Sequence, residues 1–297
     1  MEKFNILDRI KQLYDNGENI IGYLKDLDKR SNNTLEDILI SYDFQAGSYI
    51  TIAEENKEFT ELYTRALADS IKKLGDVKSI LEVGVGDATK LGNVAVHFPK
   101  EISFGGFDIS WSRILFAKKY LSTLGIEAFL CTGDLFSCPF PDSSIDVVYT
   151  SHSIEPNGGR EEEAIRELYR ITNKYLILLE PSFELADEDH QQRMIKNGYV
   201  KNLKETIEKL GYDLIENRRF DHSIRDYNPT AIYIIRKDDK ATGIKHIRPA
   251  CPISKKTLEE REDHFFSKDS LLSYPKIKSI PCLAPFNAVL TSKMGNE

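Results

Sequence analysis

Apolar positions in the first 75 residues recur every three or four places, the spacing of helices with one buried stripe. Leu7, Ile10, Leu13 and Tyr14 mark the first, which Asn16-Gly17 interrupts. Thr34-Leu-Glu-Asp37 has the form of a capping box, with Leu35, Ile38 and Leu39 behind it. Phe59, Leu62, Tyr63, Ala66, Leu67, Ile71 and Leu74 sustain a longer helix, and Gly75 stands where a helix end takes positive φ. These helices are expected to form a lid or flank for the segment beyond Gly75.

The rhythm then changes. Lys78–Val83 is a short apolar run followed by glycine-rich punctuation and a helical pattern through Phe98. Ser103–Asp108 predicts a second strand, and Trp111, Leu115, Ala117, Tyr120 and Leu124 the helix after it. Strands follow at Ile126–Thr132, Ile145–Tyr149 and Tyr175–Leu179, with a helix over Glu161–Thr172 before the last of these. Alternating strands and helices imply βαβ units and a parallel sheet covered on both faces. Helix Val200–Leu210 and strands Tyr212–Ile215 and Ala231–Ile235 come next. The last two lack a helix between them, which predicts an antiparallel closing strand. The chain thus divides into a helical region at 1–74, an α/β core at 75–237, a polar linker at 238–249 and a small module at 250–297.

Composition narrows the class. The 297 residues are 41% hydrophobic and 29% charged, as in an ordinary globular protein, and no apolar run is long enough to span a membrane. The amino terminus lacks the apolar stretch of a signal peptide, so a cytoplasmic location is expected. A net charge of −7 argues against a broad nucleic-acid footprint, which draws on Lys and Arg. Cys131, Cys138, Cys251 and Cys282 suggest reduced thiols and no disulfide framework.

The chemistry gathers after four successive strands. Leu81-Glu-Val-Gly-Val-Gly-Asp-Ala-Thr89 places Gly84, Gly86 and Asp87 in a turn where a ligand meets backbone without a Cβ in the way. Asp108 ends the second strand, followed by Ile109, and its carboxylate suits a ribose diol. Gly133-Asp134-Leu135 follows the third, where the acid can accept from an exocyclic amine and Leu135 can pack on a base. Thr150-Ser-His152 ends the fourth. Each acid alone is equally well a helix cap; together, on one sheet edge, they read as a binding site for a nucleoside-like cofactor.

In these residues the chain resembles the class I S-adenosylmethionine (SAM) dependent methyltransferases, over about Leu74 to Lys237. Phe140-Pro-Asp-Ser-Ser-Ile-Asp-Val-Val-Tyr149 is similar to another of the family's stretches. The resemblance implies a Rossmann-like, mostly parallel sheet and SAM as cofactor. Gly84 and Gly86 would border its methionine, Asp108 its ribose, and Asp134 and Leu135 its adenine. Tyr42, Gln45 and Tyr49, in Ser41–Tyr49, stand where many members carry a helix that closes over the cofactor. A dinucleotide fingerprint needs a glycine at position 89, and Thr89 occupies it, which disfavours a nucleotide-dependent oxidoreductase.

Methyl transfer from a sulfonium needs alignment and, where the acceptor holds a proton, a base. His152 is the candidate base and Glu155 the group that orients it. Glu180-Pro-Ser-Phe183, His190 and His222 are further candidates for an acceptor pocket. Nothing has metal-ligand spacing in the core. The expected substrate is a small or carbohydrate-type molecule, with no membrane or nucleic-acid partner and homo-oligomerisation left open. A non-catalytic SAM-binding scaffold is the alternative outside enzymes.

The segment Cys251-Pro-Ile-Ser254, Ser267-Lys-Asp-Ser270, Tyr274–Leu283 resembles a zinc-ribbon-like domain related to activator subunits of methyltransferases that act on RNA and release factors. Ser254, Ser267 and Ser270 stand at three of its four ligand positions, so the resemblance implies a ribbon without metal. Tyr274, Pro275, Ile277, Ile280, Pro281 and Leu283 would then pack it. A methyltransferase of RNA or of a translation protein is thus the alternative acceptor reading. It would draw on Lys237, Lys240, Lys245, Arg248, Lys255 and Lys256.

Overall fold

The structure, a computed structural model, describes residues 2–222, 229–237 and 246–294. Lys240, Lys245 and most of the expected linker lie outside the described residues. Five helices precede the first strand: α1 (Leu7–Asp15), α2 (Ile20–Leu27), α3 (Leu35–Phe44), α4 (Ser48–Glu55) and α5 (Lys57–Lys72). The capping box forms as the spacing predicts: the Asp37 N–H donates to Thr34 Oγ1 at 3.2 Å, and the Thr34 N–H to Asp37 Oδ2 at 2.9 Å. Ile10, Ile20, Leu24 and Ile40 bury one another, so α1–α3 carry a small core of their own.

The sheet is built from β1 (Ser79–Val83), β2 (Ser103–Asp108), β3 (Ala128–Thr132), β4 (Ile145–Ser151), β5 (Thr172–Pro181), β6 (Asp213–Arg219) and β7 (Thr230–Arg236). Between them run α6 (Thr89–Ala95), α7 (Trp111–Thr123), α8 (Glu161–Ile171), α9 (Glu188–Asn197) and α10 (Leu203–Lys209). Strand order is β3-β2-β1-β4-β5-β7-β6, and β1 to β5 are parallel. The antiparallel strand, β7, is not outermost: it inserts between β5 and β6. Its residues 230–235 are buried, while β6 alternates half-buried and exposed positions, as befits an edge. Strand order reverses between β1 and β4, and a parallel sheet opens a crevice at the carboxyl ends of its strands at such a switch point.

The amino-terminal helices are pinned to the core by two carboxylates that cross in opposite directions. Asp43, near the end of α3, accepts from Ser110 Oγ (2.6 Å), Ser112 Oγ (3.0 Å) and the Ser112 N–H (3.2 Å) at the start of α7. Asp87 of the glycine turn accepts from the Gly47 and Tyr49 N–H groups at the start of α4, at 3.0 and 3.2 Å. Both are acids at helix amino termini, where unpaired N–H groups and the helix dipole favour negative charge. Gly47 has φ +89° and lies so close to the Phe116 ring that a Cβ would stand 2.7 Å from it.

The carboxyl-terminal strands β8 (Glu259–Glu260), β9 (His264–Ser267), β10 (Leu272–Ile277), β11 (Ile280–Pro281) and β12 (Val289–Leu290) make a small antiparallel sheet. It docks on β3: Cys282 bridges Thr132, and the Leu283 N–H donates to Thr132 O at 3.1 Å. Cys251, Phe265, Tyr274 and Leu283 pack in one cluster with Leu81, Phe107 and Cys138 of the core. The edge of β3 is thereby covered. Ile277, expected inside, is 51% exposed, because it sits at the turn into β11. Cys251, Ser254, Ser267 and Ser270 converge through hydrogen bonds. Cys251 Sγ lies 3.4 Å from the Ser254 N–H nitrogen, Ser270 Oγ and Tyr274 Oη, and Ser254 Oγ lies 3.5 Å from Ser267 Oγ. Burial pushes the Cys251 thiol up, but these hydrogen bonds outweigh it and bring it to about 6. No described helix is long and apolar enough to cross a membrane.

A shared core has a measurable consequence. Leu283→Ala, at a fully buried position, is expected to cost about 3 kcal/mol. Urea unfolding followed by fluorescence and circular dichroism should show one coincident transition at a lower midpoint. A separate early transition would mean that the module folds on its own.

Candidate functional site

Carboxylates stand at or near the ends of several parallel strands, and each gathers backbone N–H groups from a turn. Asp108 accepts from the Gly86 N–H at 3.0 Å and the Ser110 N–H at 2.9 Å, tying the end of β2 to the glycine turn after β1. Asp134 accepts from the Phe136 N–H at 2.9 Å. Glu180, at the end of β5, accepts from the N–H groups of Ser153, Ile154 and Glu155 at 3.1–3.2 Å, which sets the loop after β4. Burial pushes the carboxyls of Asp108 and Asp134 up, with Arg113 opposing the shift at Asp108 and the Phe136 N–H opposing it at Asp134.

The glycine turn is left-handed at Gly84 (φ +67°) and Gly86 (φ +53°). A Cβ on Gly84 would stand 2.3 Å from Ser153 Cβ, so the turn packs directly on the β4 loop. Ala88, the amino cap of α6, also takes φ +59°, a conformation in which an alanine is strained.

A cavity of about 280 Å³ lies over this turn. Of the residues expected to hold a cofactor, Tyr42, Tyr49, Gly84, Gly86, Asp87, Asp108, Ile109, Gly133, Asp134 and Leu135 line it, as do His152 and Glu155. Gln45 and Thr150 do not. Gln45 ends α3 with its backbone carbonyl bonded to Ser48, and Thr150 is fully buried within β4. His190, the third residue of α9, and His222, beyond β6, are also outside the cavity lining.

His152 occupies a left-handed position, φ +57°, at the turn leaving β4. Its Nδ1 lies 2.8 Å from Glu155 Oε2 and its Nε2 3.0 Å from Thr230 Oγ1. Both ring nitrogens are therefore engaged. Glu155 is joined in turn by Tyr199, whose hydroxyl burial and this carboxylate push up.

Several residues at the cavity escape a sequence reading. Glu82, within β1, accepts from Tyr149 Oη at 2.9 Å; burial pushes it up to about 7, against the pull of Lys90. Burial pushes the Lys90 ammonium down. Arg113 is 7% exposed, and Arg193 and Tyr199 reach the lining from α9 and the loop beyond it. The available signal is a charged residue where the pattern calls for an apolar one. Arg113 shares the inward stripe of α7 with Ala117 and Leu121, and Glu82 interrupts an apolar strand.

The lining suits a nucleoside joined to a charged tail. Ile109, Leu135 and Phe107 offer an apolar slot beside Asp108 and Asp134. Asp87 Oδ1, Arg113 Nε and Nη2 and Ser153 Oγ are buried and find no hydrogen-bond partner among the described residues.

Residues 80–174 match the family model described as a methyltransferase domain, about a third of the chain. No curated protein matches the chain. Among solved structures it is similar to magnesium protoporphyrin IX methyltransferase of Synechocystis PCC 6803, solved with bound SAH, at 14% identity and TM-score 0.49. That match covers 63% of this chain and 87% of the other. It is also similar to a SAM-dependent methyltransferase of Aquifex aeolicus (14% identity, TM-score 0.41, 57% and 87% covered) and to the cyclase SpnF (18%, 0.47, 58% and 80%). Residues 80–174, which supply most of the cavity's lining, form a methyltransferase domain.

Glu180 makes the site sensitive to pH. Burial raises its carboxyl to about 7, with His152 drawing it back. The folded state then holds the proton more tightly than the unfolded chain, so stability should fall as pH rises from about 5 through 7. Glu180→Gln is expected to remove up to roughly 3 kcal/mol of that pH dependence, read from urea midpoints at pH 5 and pH 8. An unchanged slope would mean that Glu180 is not so shifted.

Proposed function

We propose that the protein methylates an oxygen or nitrogen atom of a small-molecule acceptor of carbohydrate-like polarity, bound between the lid and the loop after β4. When bound, SAM supplies a methyl group already activated on a sulfonium; the chain's own task is to align the acceptor and take its proton. The observation that carries this reading is the His152–Glu155 pair at the cavity. With Nδ1–H directed at Glu155, Nε2 is the basic nitrogen, and it accepts from the Thr230 hydroxyl. Thr230 is buried outside the cavity lining, so an acceptor hydroxyl or amine would have to draw Nε2 away from it before giving up its proton there. The Glu155 carboxylate would stabilise the imidazolium that forms. Tyr42, Tyr199 and Arg193 supply polar groups around the acceptor.

An RNA or protein acceptor gains less support. Of the basic residues it would draw on, Lys237 turns inward to Ser143 Oγ (3.0 Å) and the Tyr169 carbonyl (2.9 Å), and Lys255 pairs with Glu167 at 2.9 Å. We read the carboxyl-terminal segment as a ribbon-like module in which hydrogen bonds among Cys251, Ser254, Ser267 and Ser270 do the work of a metal.

Calorimetric titration tests the reading in two stages. The wild type is expected to bind SAM and its demethylated product at micromolar concentration, and Asp108→Ala to weaken both at least tenfold, the loss of one or two hydrogen bonds to a charged acceptor. No wild-type binding would contradict the cofactor assignment. With an acceptor found by screening sugar nucleotides first, His152→Ala should keep SAM affinity within about threefold while turnover falls by roughly 10²–10⁴. Unchanged turnover would remove His152 from the chemistry.

A further inference from the structure

We propose that Arg113, wedged between the lid tyrosines, reads the amino-acid end of the cofactor, its guanidinium taking the carboxylate while the unpaired Oδ1 of Asp87 takes the ammonium. This rests on the reading of the cavity as the SAM site. The Arg113 guanidinium lies 4.9 Å from the Tyr42 ring centre and 4.5 Å from that of Tyr49. Its Nη1 stands 2.9 Å from where a Cβ on Gly86 would be, so it overlies the glycine turn. Yet its Nε and Nη2 donate to nothing among the described residues, although the side chain is 7% exposed.

The neighbouring acids do not account for it. Asp108 binds the Gly86 and Ser110 N–H groups, and Asp87 Oδ2 binds the Gly47 and Tyr49 N–H groups. No ion pair joins either of them to Arg113 among the described residues, although both attract it at longer range. A guanidinium presents its N–H groups as a planar fork that matches a carboxylate with two parallel hydrogen bonds. Buried donors left open in this way call for an acceptor that arrives with a ligand. The sign of the partner comes from the second orphan: Asp87 lines the same cavity, and its buried Oδ1 finds no hydrogen-bond partner among the described residues. Open groups of opposite sign suit a zwitterion. A phosphate would satisfy Arg113 but bring its charge against Asp87 and Asp108.

The test uses two ligands that differ only at that end. S-Adenosylhomocysteine carries the amino acid; 5′-methylthioadenosine keeps the adenine, ribose and thioether and lacks it. Calorimetry should find the first bound at least tenfold more tightly by the wild type. Arg113→Met leaves an unbranched side chain between the tyrosines. It is expected to weaken S-adenosylhomocysteine about 30–100-fold and methylthioadenosine by less than about threefold. Arg113→Lys, which keeps the charge without the fork, should fall between. Equal losses for both ligands would overturn the proposal in favour of a ribose contact or a structural role, and no loss for either would overturn it outright. Should Arg113→Met not fold, as judged by its thermal transition, equal wild-type affinities for the two ligands would still overturn it. Failure of the wild type to bind either ligand would instead sink the SAM reading.

Discussion

The site depends on one constraint: a carboxylate buried at the end of a parallel strand must find donors, and the nearest donors are the N–H groups of adjacent turns. Asp108 draws in Gly86 and Ser110, and Glu180 draws in Ser153, Ile154 and Glu155. Two of these turns are thereby fixed to a strand that follows them in the chain. The glycine turn after β1 is held by β2, and the loop after β4 by β5. The walls of the crevice at the switch point are tied crosswise, next to the left-handed backbone of Ala88 and His152.

The same economy joins the lid to the core. Asp43 of the lid caps α7, and Asp87 of the core caps α4. Asp87 and Arg113 each touch the amino-terminal helices on one side and line the cavity on the other.

Much of this was legible in the sequence, for physical reasons. The alternation of short apolar runs with helical spacing specifies a parallel sheet, because strands covered on both faces have no polar side to show. Gly84, Gly86, Asp108 and Asp134, all of which line the cavity, stand out because glycines and acids recur after consecutive strands. The hidden part depends on which way a side chain turns. Gln45 and Thr150 have suitable chemistry and positions but lie off the cavity, while Arg113 finds its place there only once α7 is oriented by Ala117 and Leu121. Helix α9 escaped because its sequence is polar almost throughout, with only Met194 buried, although its Asp187 cap and Gly198 stop are both in the chain. The place of β7 inside the sheet, and the use of residues 250–290 to cover β3, are long-range pairings that local patterning does not encode.

The most direct test of a cofactor cavity built from crosswise-tied turns and a coupled lid is hydrogen–deuterium exchange with and without S-adenosylhomocysteine. Protection is expected together at residues 42–49, 84–90, 108–113 and 133–135, including the lid segment that contributes only part of the lining. Protection absent from these four segments, or confined to the distant β6 edge or the carboxyl-terminal sheet, would contradict the account.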